Sequence, residues 1–245
     1  MPVTRALNPV ARGDLRARLS TPRGIWAQTL YLGACSAFLL LSLPPEVGRF
    51  ELREANLLLA FLVVQLAAVT YLTGAFASSE LSLDGEKGLP DLALSTFGPV
   101  EIAAGKLISS AGYALYLVAL TLPLTVLAAG LRAAPLSTAV WAAVLTAAAA
   151  TACGVWGAWL GGRFSSDFTR SFLYWSVLVG VFVGTARLPA PWSAANPVLL
   201  LDNAVRTGWS WTLGAVVVGY LAVAAAGVVA IASYVTVMRT GAEDG

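Results

Sequence analysis

Long uninterrupted apolar runs alternate with short polar connections along this chain, and the runs have the length of a bilayer crossing. A helix spanning about 30 Å of hydrocarbon takes about 20 predominantly apolar residues. Stretches 25–43, 55–76, 107–131, 136–160, 172–186 and 211–238 meet or approach that length, and none contains Asp, Glu, Lys or Arg. All 15 basic and 13 acidic residues lie in the ends and connections. The pattern predicts an all-α integral membrane fold: one transmembrane domain, 1–245, with six transmembrane helices. The 172–186 run is short, and the proline- and tryptophan-containing stretch 187–210 follows it. There Asn196 can cap a helix that Pro197 starts. The stretch reads as one or two short re-entrant or interfacial helices before the last span, with a plain external loop as the alternative. In the fourth run Gly154, Ala158 and Gly162 recur every four residues, with Gly157 and Gly161 as a parallel pair, so close helix packing is expected there. Pro123 predicts a kink in the third run.

Composition narrows the class. Charged residues are 11% of the 245 and hydrophobic residues 58%, against about 25% charged in an average soluble protein. So few charges cannot cover a water-exposed surface, which excludes disordered, fibrous and nucleic-acid-binding readings. The net charge is only +2. The chain has no histidine, which removes imidazole-based zinc sites and catalysis by a His base. Cys35 and Cys153 sit in apolar runs and read as packing residues. The first run is too long for a cleaved leader and lacks a small-residue cleavage pattern, so it is expected to be retained. Basic residues of alternating connections divide ten to five. The richer set is Arg5, Arg12, Arg16, Arg18, Arg23, Lys87, Lys106, Arg163, Arg170 and Arg239, which predicts both termini in the cytoplasm.

Two polar segments carry most of the information. In 1–24, Asn8 and Pro9 start a helix, Leu7, Val10, Leu15 and Leu19 give an apolar stripe, and Thr21-Pro22 ends it. Arg12, Arg16 and Arg18 lie among them, so an amphipathic helix along the membrane surface is expected, its arginines near anionic headgroups. In the 77–106 connection, Gly88 ends one element, Pro90 and Asp91 suit the first turn of a short helix, and Gly98-Pro99 terminates it. Leu89, Leu92, Leu94 and Phe97 are too apolar for a solvated linker and read as a docking knob.

With these residues in place the chain resembles the permease subunits of ABC-2 type transporters, the type V exporter fold. Members of that family begin with an amphipathic elbow helix that has an Asn-Pro start and an Arg-rich face. Between spans two and three they carry a pattern of the form E-x-x-G-T-L-E-L-L-x-x-T-P-x-x-x-x-E-I-x-x-G-K. Glu86, Gly88, Asp91, Leu92, Leu94, Thr96, Glu101, Ile102, Gly105 and Lys106 match it. Leu89-Pro90 replaces its Thr-Leu step, and Phe97-Gly98 separates Thr96 from the following proline. The resemblance implies an elbow helix (1–24, with Arg12, Arg16 and Arg18) and a short cytoplasmic coupling helix. Glu86, Leu89, Asp91, Leu92, Leu94, Thr96 and Phe97 of the latter would dock a separate ATPase. It further implies a second permease copy or paralogue, and a bacterial cytoplasmic (inner) membrane location. No phosphate-loop motif occurs in the chain, so no cofactor is expected in it; ATP and Mg would belong to the partner subunit.

The spans hold no ionisable residue, which argues against an ion-coupled carrier. An ATP-driven machine receives its free energy through its cytoplasmic loops and needs none. No catalytic or metal-ligating set is expected, and no nucleic-acid partner. In the family, spans two and five line the central path, so Gln65 and Thr73 are candidates for a translocation path, with interhelical hydrogen bonding as the alternative. Tyr174, Trp175, Trp192, Trp209 and Trp211 suit an interfacial aromatic belt. Outer connections are short, which favours export of a membrane-soluble or cytoplasmic substrate. A non-transporting membrane anchor for an ATPase and a secondary carrier are the competing functions.

Overall fold

A computed structural model of the chain describes residues 8–41, 56–80, 97–131, 133–164, 166–189, 192–207 and 210–243. These are 93% helix, with no strand among them. Among the described residues eight α-helices follow in order: α1 (Pro9–Ser20), α2 (Pro22–Leu41), α3 (Asn56–Glu80), α4 (Pro99–Leu131), α5 (Leu136–Arg163), α6 (Asp167–Val179), α7 (Pro197–Thr207) and α8 (Trp211–Glu243). A π-helical turn, Gly180–Gly184, and a 3₁₀ turn, Thr185–Arg187, prolong α6, and the 3₁₀ turn Trp192–Ala195 precedes α7. Among the described residues six helical runs are long and apolar enough to cross a membrane: Pro22–Leu41, Leu57–Glu80, Pro99–Leu131, Leu136–Arg163, Asp167–Arg187 and Trp211–Thr240. The chain thus has the character of a multi-pass membrane protein.

Several helices run past the apolar stretches into polar sequence. α3 continues to Glu80, and α4 starts at Pro99 instead of 107. Gly98-Pro99 therefore opens a helix, for a local reason. Proline suits the first turn, and Glu101 reaches back so that its carboxylate accepts the Gly98 N–H at 2.9 Å. α6 begins at Asp167, five residues before the apolar run, because the Ser166 side chain caps it. These extensions bring Glu80, Lys106 and Arg170 into the helical bundle, so the expectation that its helices carry no ionisable residue is corrected. All three lie near helix ends, where the sequence turns polar. Pro123 sits inside α4 without ending it.

α5 is the centre. It packs on α3, α4 and α8, and 72% of its most apolar window is buried, against 17% for the last two spans. The small-residue spacing explains the closeness of α3. A Cβ on Gly157 would stand 2.7 Å from the Gly74 carbonyl oxygen, and one on Gly161 only 2.2 Å from that of Ser78. At these two points helix backbone touches helix backbone, which any side chain would prevent. α7 turns its Leu200, Leu201, Ala204 and Val205 inward. Asn196 caps it, accepting the N–H groups of Val198 at 2.8 Å and Leu199 at 3.0 Å. The same side chain donates to the Phe182 carbonyl at 2.9 Å, tying α7 to the π-helical turn.

Candidate functional site

The polar chemistry of the described residues gathers at one end of the bundle, where α1 joins α2, α3 ends and α4 starts. α1 is positioned by its own start: Asn8 accepts the Val10 N–H at 2.9 Å and donates to the Glu101 carbonyl at 2.6 Å. Val10 then lies against Gly105, and Leu15 against Gly112, so two glycines of α4 make the seat for α1.

Across that seat runs a buried cluster of four charges. Arg18 is fully buried and grips Glu80 with both arms of its fork, Nε to Oε1 at 2.6 Å and Nη2 to Oε2 at 2.8 Å. Lys106, 1% exposed, places Nζ 2.8 Å from Asp14 Oδ2 and 3.6 Å from Glu80 Oε2. The Ser109 hydroxyl donates to Asp14 at 3.3 Å, and the Arg18 guanidinium lies 5.5 Å from the Tyr113 ring centroid. Two cations face two carboxylates, so the cluster is neutral, which is what permits its burial. Burial pushes the Asp14 carboxyl above the usual carboxylate range, with Lys106 opposing the rise. Burial also works against charge on Arg18, but Glu80 outweighs it and holds the guanidinium above its ordinary value.

This corrects the expectation for Arg18. It turns into the bundle to meet Glu80, while Arg12 and Arg16 stay exposed. Asp14 and Arg18 are one helical turn apart and share a face, a signal readable in the sequence. Their partners Glu80 and Lys106 are not, because nothing local indicates which terminal charge of a span folds inward.

Of the expected docking residues, Glu86, Leu89, Asp91, Leu92, Leu94 and Thr96 lie outside the described residues. Phe97 is within them. It packs beside Ile102 and Ala103 of α4 and the foot of α8, where Arg239 donates to its carbonyl oxygen. Arg163, at the end of α5, holds its guanidinium 5.2 Å from the Trp159 ring and 5.4 Å from the Tyr234 ring. The stems of the 81–96 segment are thus both anchored: Glu80 before it by Arg18 and Lys106, Phe97 after it by α8.

Gln65 and Thr73 are buried between helices. Gln65 donates to Thr121 at 2.7 Å and accepts from Thr125 at 3.3 Å, an α3–α4 link. Thr73 is fully buried beside Gly154, and its hydroxyl has no partner among the described residues. Tyr174 is buried and donates to the Thr70 carbonyl at 2.5 Å, so it is a packing residue of α6 and not part of an interfacial belt. Trp175 and Trp211 are exposed, as a belt requires.

Sequence reasoning missed a second cationic feature. A cavity of about 260 Å³ opens beside α2, α3 and α6, lined by Arg23, Tyr71, Ser78, Ser79, Asp167 and Arg170 among others. Among the described residues no group of three or more His, Cys, Asp or Glu is arranged to hold a metal ion, and both cysteines are free thiols. Comparison with protein-family models, curated proteins and solved structures found no match.

Proposed function

We propose that this chain is the membrane-spanning permease subunit of an ATP-driven ABC-2 type exporter, working with a separate ATPase subunit and a second permease copy or paralogue. On this reading the base of the bundle faces the cytoplasm of a bacterial cell, with both termini on that side. The carrying observation is the double anchoring of the 81–96 segment. Glu80 is the last residue of α3 and is clamped to α1 and α4 by buried charge pairs. Phe97, one residue before the start of the α4 cap, is held against the foot of α8. A push on the segment between them is therefore delivered to α1, α3, α4 and α8 together, as force transfer from an ATPase requires. An unattached linker would dissipate it.

The test is purification of the tagged chain from its native membrane in a mild detergent. The reading expects an ATPase subunit to co-purify, and Leu92→Asp with Leu94→Asp to release it while the chain stays folded. Substrate movement in vesicles that follows an ion gradient with no ATPase present would overturn it.

A further inference from the structure

We propose that the cavity beside α2, α3 and α6 is a binding site for a phosphate group presented at the membrane interface. The central observation is Arg170. The residue is 5% exposed, it lines the cavity, and its Nη1 has no hydrogen-bond partner among the described residues. An unpaired guanidinium N–H held away from water is costly, and an anion is its natural complement. Another of its three nitrogens, Nη2, donates to Asp167. That carboxylate also lines the cavity, but it is 93% exposed and hydrated, and with two arginines against it the lining keeps a net positive charge.

Arg23 supplies the second cation. It is the second residue of α2, it lines the cavity, and its guanidinium lies 6.0 Å from the Phe76 ring of α3. Tyr71, Ser78 and Ser79 add hydroxyl groups to the wall. Both serine hydroxyls donate to carbonyls of their own helix, Ser78 to Ala75 and Ser79 to Phe76, each at 2.9 Å. Hence the donors that face an occupant come chiefly from the two arginines. Paired guanidinium groups match the spread charge and several acceptor oxygens of a phosphate better than a single carboxylate.

Size and depth agree. A volume of about 260 Å³ lies below the roughly 300–1,000 Å³ of pockets for drug-sized ligands, and suits a headgroup-sized anion. Arg23, Ser79 and Arg170 each lie within the first or last turn of a helix long and apolar enough to span, and the ends of such a helix in a bilayer would lie near the lipid phosphates. The source is then a phospholipid headgroup or a soluble phosphate. The site requires no ATPase partner and so stands apart from the permease reading.

Delipidated full-length protein in detergent micelles would be titrated with phosphatidylglycerol, with diacylglycerol and with inorganic phosphate, binding being followed by native mass spectrometry and thermal shift. Phosphatidylglycerol is expected to bind, diacylglycerol to bind at least tenfold more weakly, and Arg170→Gln to weaken phosphatidylglycerol about tenfold, the loss of one charge-assisted bond. Arg23→Gln, at an exposed position that does not threaten folding, should weaken it in the same direction, and Arg12→Gln should not. Phosphate binding that shows the same two losses while the lipid does not bind would support the site with a soluble ligand. Equal binding of diacylglycerol, or unchanged binding by both Arg170→Gln and Arg23→Gln, would overturn the proposal.

Discussion

Glu80 is shared between Arg18 and Lys106, and its removal leaves two buried cations facing only Asp14. Breaking a buried pair by deleting one partner costs about 3–5 kcal/mol, because the stranded charge has lost its water without keeping its counter-ion. We predict that Glu80→Gln lowers the stability of the detergent-solubilised protein by about 3 kcal/mol, the lower end because Glu80 keeps 14% exposure. Arg12→Ala, at an exposed position, should leave thermal unfolding unchanged. Asp14 predicts a pH dependence. Its folded-state value lies above its ordinary 3.8, so the native state holds the proton more readily than the unfolded chain. The stability that this group adds is full below about 3.8 and is lost as pH rises through the folded-state value. As pH falls from neutral toward 4, melting curves should therefore show wild type gaining stability relative to Asp14→Asn. A relative loss of wild-type stability over that range would contradict the raised value.

Helix ends and contacts decide the behaviour of single elements. α4 closes with Ala133 at φ 55°, its N–H bonded to Gly130 and that of Ala134 to Ala129. That is a Schellman ending with alanine where glycine is usual. Left-handed backbone costs an L-residue roughly 1–2 kcal/mol, so Ala133→Gly should raise stability by about 1 kcal/mol, readable as a higher melting temperature. Gly161 is the opposite case. A methyl group there meets the Ser78 carbonyl at 2.2 Å, and overpacking of this kind typically costs 1–3 kcal/mol. Gly161→Ala should thus destabilise the α3–α5 contact, and Gly13→Ala, with open space around it, should not. The sequence spacing announced tight packing of this helix. It left open whether the partner was a neighbour in the bundle or a second chain, and the backbone contacts assign α3.

If all six long apolar helices cross a membrane, the two ends of the molecule lie on the same side, which the proposed orientation makes the cytoplasm. With Cys35 and Cys153 replaced by serine, Arg12→Cys should react with a membrane-impermeant maleimide only after the cell membrane is opened. Labelling of intact cells would reverse the orientation and move the anchored 81–96 segment away from any cytoplasmic ATPase.

Hydropathy is a one-dimensional property and helical hydrogen bonds are local, so the amino-acid order alone determined the helical class, the six helices long and apolar enough to cross a membrane, the Asn8 and Asn196 caps and the close-packing face of α5. A backbone in hydrocarbon must satisfy its own hydrogen bonds, and that necessity turns an apolar run into a helix without reference to the rest of the chain. The charge cluster and the arginine-lined cavity were decided by tertiary structure. Arg18 and Glu80 stand 62 residues apart, and Arg170 lines a cavity with Arg23 and Ser79 only because α6 packs beside α2 and α3. A charge at the end of an apolar run reads the same whether it faces water or a partner. The choice between them is made by burial, which exists only once the helices have come together.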